Sequence, residues 1–338
     1  MDLNLNFNFI ITIIGIIIFV LIKKNNKFIS EKLGLIDYAS QEKIHKKNTS
    51  LIAIFPFFIL FLIIHLFLFF NYQYNIDTIL IFVFAIGSFL IGIFDDKKNL
   101  GYSIKFIFFG ALILFILLMS NNLLLERFYF STFNKLFLIG ELNSTLVTTL
   151  CLLLLINAIN LSDGINGLCS GIILIWLLYF QINFDQYINL YPLIALLFIT
   201  TIFIYKGIFF LGNAGSHFLS SYVGIISIYC YNQNLDIYFN KSLSVEDIFI
   251  VFMLPGFDML RLFIVRISNK KNPFSSDLNH LHHLLIKKFS LIETLIIYIL
   301  SIVLPILANH FELMPSYLII LIFGTFYLFG LYSLKKIN

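Results

Sequence analysis

Long apolar runs fill most of the chain, and short polar segments separate them. A helix of about 20 apolar residues crosses a bilayer core and satisfies its own backbone groups there. By this criterion the sequence predicts eleven spans, at about 7–22, 50–70, 77–94, 104–125, 145–161, 168–183, 187–205, 216–232, 245–265, 291–310 and 315–334. We therefore predict an all-α polytopic integral membrane protein of about 10–11 transmembrane helices, with residues 1–338 forming a single domain.

The positions of the basic residues give an orientation. Lys and Arg concentrate in cytosolic loops of membrane proteins. If residues 23–49 lie inside, alternation of the spans leaves only three of the 22 Lys and Arg outside, namely Arg127, Lys135 and Lys241. The remaining 19 lie inside or at inner helix ends. This asymmetry supports the span count and predicts that the unusual polar residues face the cytosol.

The composition excludes a soluble domain. The chain is 60% hydrophobic and only 12% charged, whereas soluble domains have about 25% charged residues. The net charge of +4 is small, and we expect membrane lipids but no nucleic acid as partners. The three cysteines have no paired spacing that would indicate a disulfide framework or a zinc site.

Two motifs carry carboxylates and amides at span ends. Asp95-Asp96 closes the third span, and such a pair can hold Mg²⁺ or accept a proton, although a solvated helix end explains it equally well. Asn157 and Asn160 share one helix face, and Asp163 and Asn166 repeat the spacing. A plain turn needs only one or two such residues, so the second motif indicates a ligand site.

Two further motifs follow on the same predicted face. The segment Gly212–Ser216 precedes a helix, and its backbone N–H groups could cradle phosphate oxygens, while His217 is predicted to be a packing residue. Asp258 and Arg261 are expected to form a structural salt bridge. His280, His282 and His283 could bind phosphate, donate hydrogen bonds or ligate a metal; His65 and His310 are predicted to be structural.

These four segments, in this order, resemble the polyprenyl-phosphate N-acetylhexosamine-1-phosphate transferase superfamily, glycosyltransferase family 4, from about Gly34 to His283. The stretch 273–283 looks like its undecaprenyl-phosphate GlcNAc-1-phosphate transferase branch. The resemblance implies transfer of a sugar-1-phosphate, such as GlcNAc-1-phosphate, from a UDP-sugar to polyprenyl phosphate. UMP would be released and a lipid-linked cell-envelope glycan begun. The implied location is the bacterial inner membrane with a cytosolic active site, and the implied cofactor is Mg²⁺, with Mn²⁺ as an alternative.

The resemblance also implies residue roles. The implied catalytic residues are Asp95, Asp96, Asp163 and His282. The implied substrate-binding residues are Lys43, His45, Asn157, Asn166, Arg261, His280 and His283. The implied metal ligands are Asn160 and Asn213.

Two positions depart from the family pattern. The early motif around Lys43 and His45 lacks the Arg, Pro and paired Gly that usually accompany it. Asn213 stands where the family has a metal-binding aspartate, and an amide oxygen can coordinate Mg²⁺ but brings no charge. We expect weaker metal binding, a shifted ligand set using Asp95, Asp96 or Asp163, or lost activity, and we favour retained activity.

The implied reaction brings two anionic phosphates together, so its main requirements are charge neutralisation and alignment. We expect Asp95, Asp163, Asn213 and His282 to converge in one water-facing pocket. A transporter is an alternative, but it should place its polar residues near the bilayer midplane, often in two related halves. A catalytically inactive relative that binds UDP-sugar or lipid is another, and a homodimer is left open.

Overall fold

The computed structural model describes residues 2–38, 48–71, 75–237, 243–272 and 278–336. The helices in these residues are α1 (Asp2–Lys24), α2 (Asn26–Leu33), α3 (Phe55–Asn71), α4 (Ile76–Lys98), α5 (Tyr102–Met119), α6 (Glu141–Ser162), α7 (Leu168–Asn183), α8 (Tyr191–Tyr205), α9 (Gly212–Ile237), α10 (Val245–Ser268), α11 (Leu281–Ile286), α12 (Leu291–His310) and α13 (Ser316–Lys336). The strands are β1 (Ile36–Asp37), β2 (Thr49–Ser50), β3 (Arg127–Phe130) and β4 (Lys135–Leu138).

Each of the eleven predicted spans coincides with one of these helices. In the described part of the chain, seven are long and apolar enough to cross a membrane: α1 from Asn6 onward, α4, α5, α6, α10, α12 and α13. Three more, α3, α7 and α8, are apolar but shorter. The protein is thus an all-α polytopic membrane protein, as predicted.

Local signals define the helix ends. Asn75 caps α4, because its side-chain oxygen accepts a hydrogen bond from the N–H of Asp77 at 2.8 Å. Ser244 begins α10 with a reciprocal capping box to Asp247, which satisfies two backbone donors that the helix itself leaves unpaired. The capping box of Ser290 begins α12 in the same way.

The chain divides into two compact units that are each discontinuous in sequence. Unit 1 comprises residues 1–120 and 169–223, and α1, α3 and α8 pack together in it, as do α4 and α5. Unit 2 comprises residues 121–168 and 224–338, where α10 packs against α6, α12 and α13. The single domain over 1–338 stays a prediction.

An antiparallel hairpin of β3 and β4 in unit 2 is absent from the sequence prediction. Its turn is held by Glu246, whose carboxylate accepts hydrogen bonds from the N–H groups of Ser131 and Thr132. The N–H of Tyr129 donates to the hydroxyl of Tyr231 at 2.9 Å. The four-residue strands are short, and these long-range partners cannot be deduced from local patterning.

Candidate functional site

A cluster of acidic and basic groups forms in unit 1 where α4 meets the first turn of α9. Gly92 lies directly against that turn, because a Cβ atom there would come within 2.6 Å of the carbonyl oxygen of Asn213 and would collide with Ala214. The close approach brings Asp96 to the start of α9. Its carboxylate accepts the N–H groups of Asn213 and Ala214 at 2.8 and 2.9 Å. Asp96 therefore caps α9 and balances its positive end.

Asp95 belongs to the same cluster but has different partners. Its side chain is buried, and one carboxylate oxygen lies 2.8 Å from the ammonium of Lys105 on α5. The other oxygen accepts the N–H of Leu100 at 2.9 Å. His217 lies 3.6 Å from the carboxylate and packs edge-on against Phe109, as predicted for a packing residue. The Asp95 charge is thus neutralised within the fold, as a buried carboxylate requires.

This geometry changes two expectations. The adjacent carboxylates of Asp95 and Asp96 hold different partners, because neighbouring residues on a helix point about 100° apart, so the pair does not act as one clamp. The predicted phosphate cradle is wrong for the N–H groups of Asn213 and Ala214. The Asp96 carboxylate already occupies them, because the close contact at Gly92 fixes it opposite these groups.

A second cluster forms in unit 2 around the carboxylate of Asp258 on α10. One of its oxygens accepts hydrogen bonds from Arg261 and from the Tyr327 hydroxyl, both at 2.9 Å. The other accepts Nδ1 of His280 at 2.8 Å, and the N–H of Leu281 also donates to the carboxylate. The predicted Asp258–Arg261 pair is confirmed, and the same carboxylate anchors the start of α11.

Helix α11 places His282 and His283 against the motif that follows α6. A Cβ atom on Gly164 would come within 2.7 Å of the His282 Nε2 atom and of the His283 ring. Only glycine permits this approach, since real Cβ atoms keep larger distances. The ring centroid of His282 lies 4.2 Å from that of His283 and 5.5 Å from that of His280. The turn at Asp163–Gly164 and the histidine motif, separated by over 100 residues, thus form one cluster.

His282 is the most unusual group in this cluster. It is 1% exposed, and neither of its ring nitrogens has a hydrogen-bond partner among the described residues. Burial lowers the pKa of its imidazole well below 6.5, and the neighbouring His283 and His280 rings lower the pKa further. Buried polar atoms in proteins are nearly always paired. The ring nitrogens of His282 are therefore the groups of this cluster to which a ligand could add hydrogen bonds.

An apolar cavity of about 300 Å³ lies in unit 2 beside α6 and α10. Its lining includes Leu152, Leu155, Phe252, Phe257 and Met259, and it contains very little polar surface. The same Met259 contacts a motif residue, because its sulfur lies 3.7 Å from the side-chain nitrogen of Asn157. The cavity thus reaches the helix face that carries the second motif.

The other predicted residues have less distinctive surroundings. Asn160 and Asn166 are half-buried, and the carbonyl of Asn160 accepts the N–H of Asp163. Lys43 and His45 lie outside the described residues. Convergence of Asp95, Asp163, Asn213 and His282 in one pocket stays a prediction, because Asp95 and Asn213 belong to unit 1 and the other two to unit 2.

Sequence reasoning missed two partners. Lys105 carries one signal, since it is an ionisable residue in the first turn of an apolar span. Tyr327 carries none, because it is one of 17 tyrosines and lies 66 residues beyond Arg261, whose guanidinium donates to its hydroxyl. Only the packing of α13 against α10 identifies it.

The candidate metal ligands supply only oxygen donors. Over the described ranges there is no group of three or more His, Cys, Asp or Glu side chains that could hold a metal ion. The amide oxygens of Asn160 and Asn213 and the carboxylate of Asp163 are hard ligands, and Mg²⁺ commonly binds one or two protein groups, waters and substrate phosphates. Asn160 and Asp163 in unit 2, and Asn213 in unit 1, are thus each of the chemical type that Mg²⁺ binds together with substrate phosphates.

Residues 78–231 match the model of glycosyl transferase family 4. This segment contains three of the four motifs and the whole acidic and basic cluster of unit 1. This segment is thus similar to that family, and it forms part of a polytopic membrane protein.

Two curated bacterial proteins are similar to this chain over a longer stretch than the family segment. The chain is 27% identical to the undecaprenyl-phosphate alpha-N-acetylglucosaminyl 1-phosphate transferase of Thermotoga maritima over 216 residues, which is 64% of each of the two chains. Over 238 residues, or 66% of this chain and 64% of the relative, it is 29% identical to the probable undecaprenyl-phosphate N-acetylglucosaminyl 1-phosphate transferase of Bacillus subtilis. The chain therefore spans just under two thirds of the length of these relatives.

Proposed function

We propose that the protein transfers a sugar-1-phosphate, with GlcNAc-1-phosphate as the first candidate, from a UDP-sugar to undecaprenyl or another polyprenyl phosphate. UMP is released, and the lipid-linked sugar begins a cell-envelope glycan. The similarity of residues 78–231 to glycosyl transferase family 4 and the activities of both relatives support this reaction. The inner membrane and a cytosolic active site are part of the proposal, supported by the distribution of Lys and Arg.

One observation supports the proposal most strongly. The buried, unpaired imidazole of His282 lies against Gly164, beside a network in which Arg261 and His280 share the Asp258 carboxylate. Imidazole and guanidinium groups are suitable donors for phosphate oxygens. We assign the diphosphate of the UDP-sugar to this cluster of unit 2.

The chemistry is a substitution at phosphorus. An oxygen of the polyprenyl phosphate forms a bond to the β-phosphorus of the UDP-sugar. The bond from that phosphorus to the bridging oxygen breaks, and its electron pair leaves with UMP. A phosphate monoester is largely dianionic near neutral pH, so a strong base is unnecessary. The protein's task is to align the groups and to stabilise the charge that they bring together.

In unit 1, Asp95 would position a cation. Its carboxylate fixes the ammonium of Lys105 by one contact of 2.8 Å, and an ammonium has three donors. We propose that Lys105 offers its other donors to a phosphate oxygen. Asp96 keeps the first turn of α9 in place through Asn213 and Ala214. A substitution at either aspartate would therefore disturb substrate alignment even without a base role.

The polyprenyl chain requires an apolar surface within the protein or at its edge. The cavity beside α6 and α10 is almost entirely apolar and adjoins the Asn157–Met259 contact. We propose that it receives part of the isoprenoid chain.

Mg²⁺ is the proposed cofactor, with Mn²⁺ as an alternative. When bound, it would neutralise phosphate charge and help to align the reacting groups. Asn160 and Asn213 stay proposed as its ligands, and Asp163 would add a charged oxygen. Each contributes an oxygen ligand of the type that Mg²⁺ prefers.

The test is a nucleotide-sugar panel. Membranes containing the protein are incubated with polyprenyl phosphate, Mg²⁺ and each UDP-sugar, and the lipid products are identified by mass. We expect a polyprenyl diphosphate sugar and stoichiometric UMP, with both lost when EDTA removes the metal. A panel in which properly inserted protein forms no lipid product would contradict the proposal and favour the inactive relative that Asn213 suggests.

A further inference from the structure

The carboxylate of Asp258 receives more hydrogen bonds than a simple salt bridge with Arg261 requires. It accepts from Arg261, Tyr327 and His280 and from the N–H of Leu281. These donors come from α10, α13 and the start of α11. Because the carboxylate binds donors from three helices, it fixes the positions of these helices relative to one another. Two of them, α10 and α11, carry Arg261 and the histidines.

The bond to His280 determines which nitrogen of that ring carries the proton. A carboxylate can only accept a hydrogen bond, so Nδ1 of His280 must donate across the 2.8 Å contact. In the neutral ring Nε2 then has no proton. His280 is 3% exposed, and its Nε2 atom has no hydrogen-bond partner in the part of the chain that the structure describes. The ring is therefore oriented from the Nδ1 side by the carboxylate.

Tyr327 completes the arrangement. Its hydroxyl accepts a hydrogen bond from Nε of Arg261 and donates one to Asp258, each at 2.9 Å. A phenol has one proton, so these two contacts assign its donor and acceptor roles without conflict. The ring also packs near Phe257, with centroids 6.0 Å apart. Tyr327 lies well beyond the family segment of residues 78–231.

We infer that Asp258 and Tyr327 are positioning residues, which hold Nδ1–H of His280 against the carboxylate and orient the ring so that its Nε2 atom, once protonated, donates to a phosphate oxygen of the nucleotide sugar. When the ring is protonated, the Asp258 carboxylate balances its charge, and Nε2 becomes a donor to the anion. Neither positioning residue touches the substrate; both act through His280 and Arg261. The inference rests on the proposed function for the identity of the ligand but on geometry alone for the tautomer.

The first variant is Tyr327→Phe, because it removes both hydroxyl contacts and retains the ring. The matched control is Tyr332→Phe on the same helix, since Tyr332 is 62% exposed and lies outside the cluster. We expect Tyr327→Phe to lower kcat/KM for the UDP-sugar roughly tenfold, the usual size of one or two lost hydrogen bonds to charged groups. The control should keep wild-type kinetics, and both variants should keep a wild-type melting temperature within a few degrees.

The second variant is Asp258→Asn, which keeps the shape but places an amide N–H₂ opposite Nδ1 of His280. That donor would force the proton of the neutral ring to Nε2 and would remove the carboxylate charge that stabilises the protonated ring. The charge-assisted hydrogen bond from His280 to the phosphate would weaken, so kcat/KM should fall at least tenfold. The ¹⁵N chemical shifts of the His280 ring show which nitrogen carries the proton, when they are measured at a pH where the ring is neutral. The resonances are assigned by their absence from the spectrum of a His280→Gln variant. We expect a proton on Nδ1 in the wild type and on Nε2 in Asp258→Asn.

The outcomes separate the two proposals. A wild-type His280 with its neutral proton on Nε2 would overturn the inference, as would a Tyr327→Phe variant with unchanged kcat and KM. A lower melting temperature in Tyr327→Phe without any kinetic change would also overturn it, because Tyr327 would then have only a structural role. If the wild type turns over no UDP-sugar, the proposed function fails, and the ¹⁵N measurement still decides the positioning of His280.

Discussion

At the scale of single residues, the buried carboxylates and the buried imidazole of His282 differ in how they are paired. Asp95 and Asp258 are buried, and each is balanced by a cation and further donors. His282 is buried with no hydrogen-bond partner among the residues described. Since unpaired buried polar atoms are costly, a ligand that hydrogen-bonds to the imidazole of His282 would stabilise the unit 2 cluster.

Stability should depend on pH through His282. Its pKa in the folded protein lies well below 6.5 because of burial, so the unfolded chain binds a proton that the folded chain excludes. Unfolding free energy therefore falls as the pH drops below about 6.5, by up to about 1.4 kcal/mol per pH unit. We expect the melting temperature in detergent to fall more between pH 7.5 and 5.5 in the wild type than in His282→Gln.

The matched control is His310→Gln, because His310 is solvent-exposed at the end of α12. This variant should show the same acid-induced loss as the wild type. Equal losses in the wild type and in His282→Gln would show that the His282 imidazole is not the group that excludes the proton.

At the scale of elements, two glycines bring the motifs into contact. Gly92 lets α4 approach the first turn of α9 in unit 1, and Gly164 lets the turn after α6 approach α11 in unit 2. In both places the neighbouring atoms leave no room for a methyl group. The consequence is that motifs distant in sequence contact one another in pairs, one pair within each unit.

Replacing Gly92 by Ala should separate α4 from α9. The obstructing atoms belong to the backbone at Asn213 and Ala214, which cannot move aside as a flexible side chain would. We expect a loss of about 1–3 kcal/mol in stability, the usual cost of overpacking, together with loss of the Asp96 contacts to α9. Gly110→Ala is the control, since no atom lies within 4 Å of its added Cβ. A Gly92→Ala protein as stable and active as Gly110→Ala would contradict the close contact.

Replacing Gly164 by Ala tests unit 2 separately. The added methyl group would displace the rings of His282 and His283, so transferase activity should fall at least tenfold, because a displacement of about 1 Å costs that much or more. Gly140→Ala is the matched control, because that glycine has no atom within 4 Å of an added Cβ. Activity is measured as UMP release at saturating lipid. Equal rates in the two variants would show that the histidine rings tolerate displacement.

At the scale of the whole molecule, the apolar runs predicted every long helix, because hydrophobic length is read directly from the sequence. The motifs predicted which polar residues cluster. The sequence did not reveal that Asp95 holds Lys105 or that Asp258 holds Tyr327, because these contacts depend on how helices pack and leave no local pattern. The occupation of the Asn213 and Ala214 N–H groups was missed for the same reason, since Asp96 and Asn213 lie 117 residues apart.

Asn213 gives a prediction about the metal. An aspartate at this position would add a charge to the oxygen ligand, and Mg²⁺ prefers carboxylates. We expect Asn213→Asp to bind Mg²⁺ more tightly, seen as a larger rise in melting temperature at a given Mg²⁺ concentration and a lower Mg²⁺ requirement for turnover. Asn25→Asp is the control, because Asn25 is exposed, lies outside the two clusters and precedes the first turn of α2, where aspartate is also favoured. An Mg²⁺ response in Asn213→Asp no stronger than in the wild type would remove Asn213 from the proposed ligand set.

The most direct test of the account is a product balance in proteoliposomes that contain the purified protein, polyprenyl phosphate, Mg²⁺ and radiolabelled UDP-GlcNAc. The account predicts one UMP for each labelled polyprenyl diphosphate sugar, no formation of either without the lipid phosphate, and a loss of at least about 100-fold in both Asp95→Asn and Asp163→Asn. Intact UDP-GlcNAc accumulating inside the vesicles with no UMP formed would contradict it and identify a transporter instead.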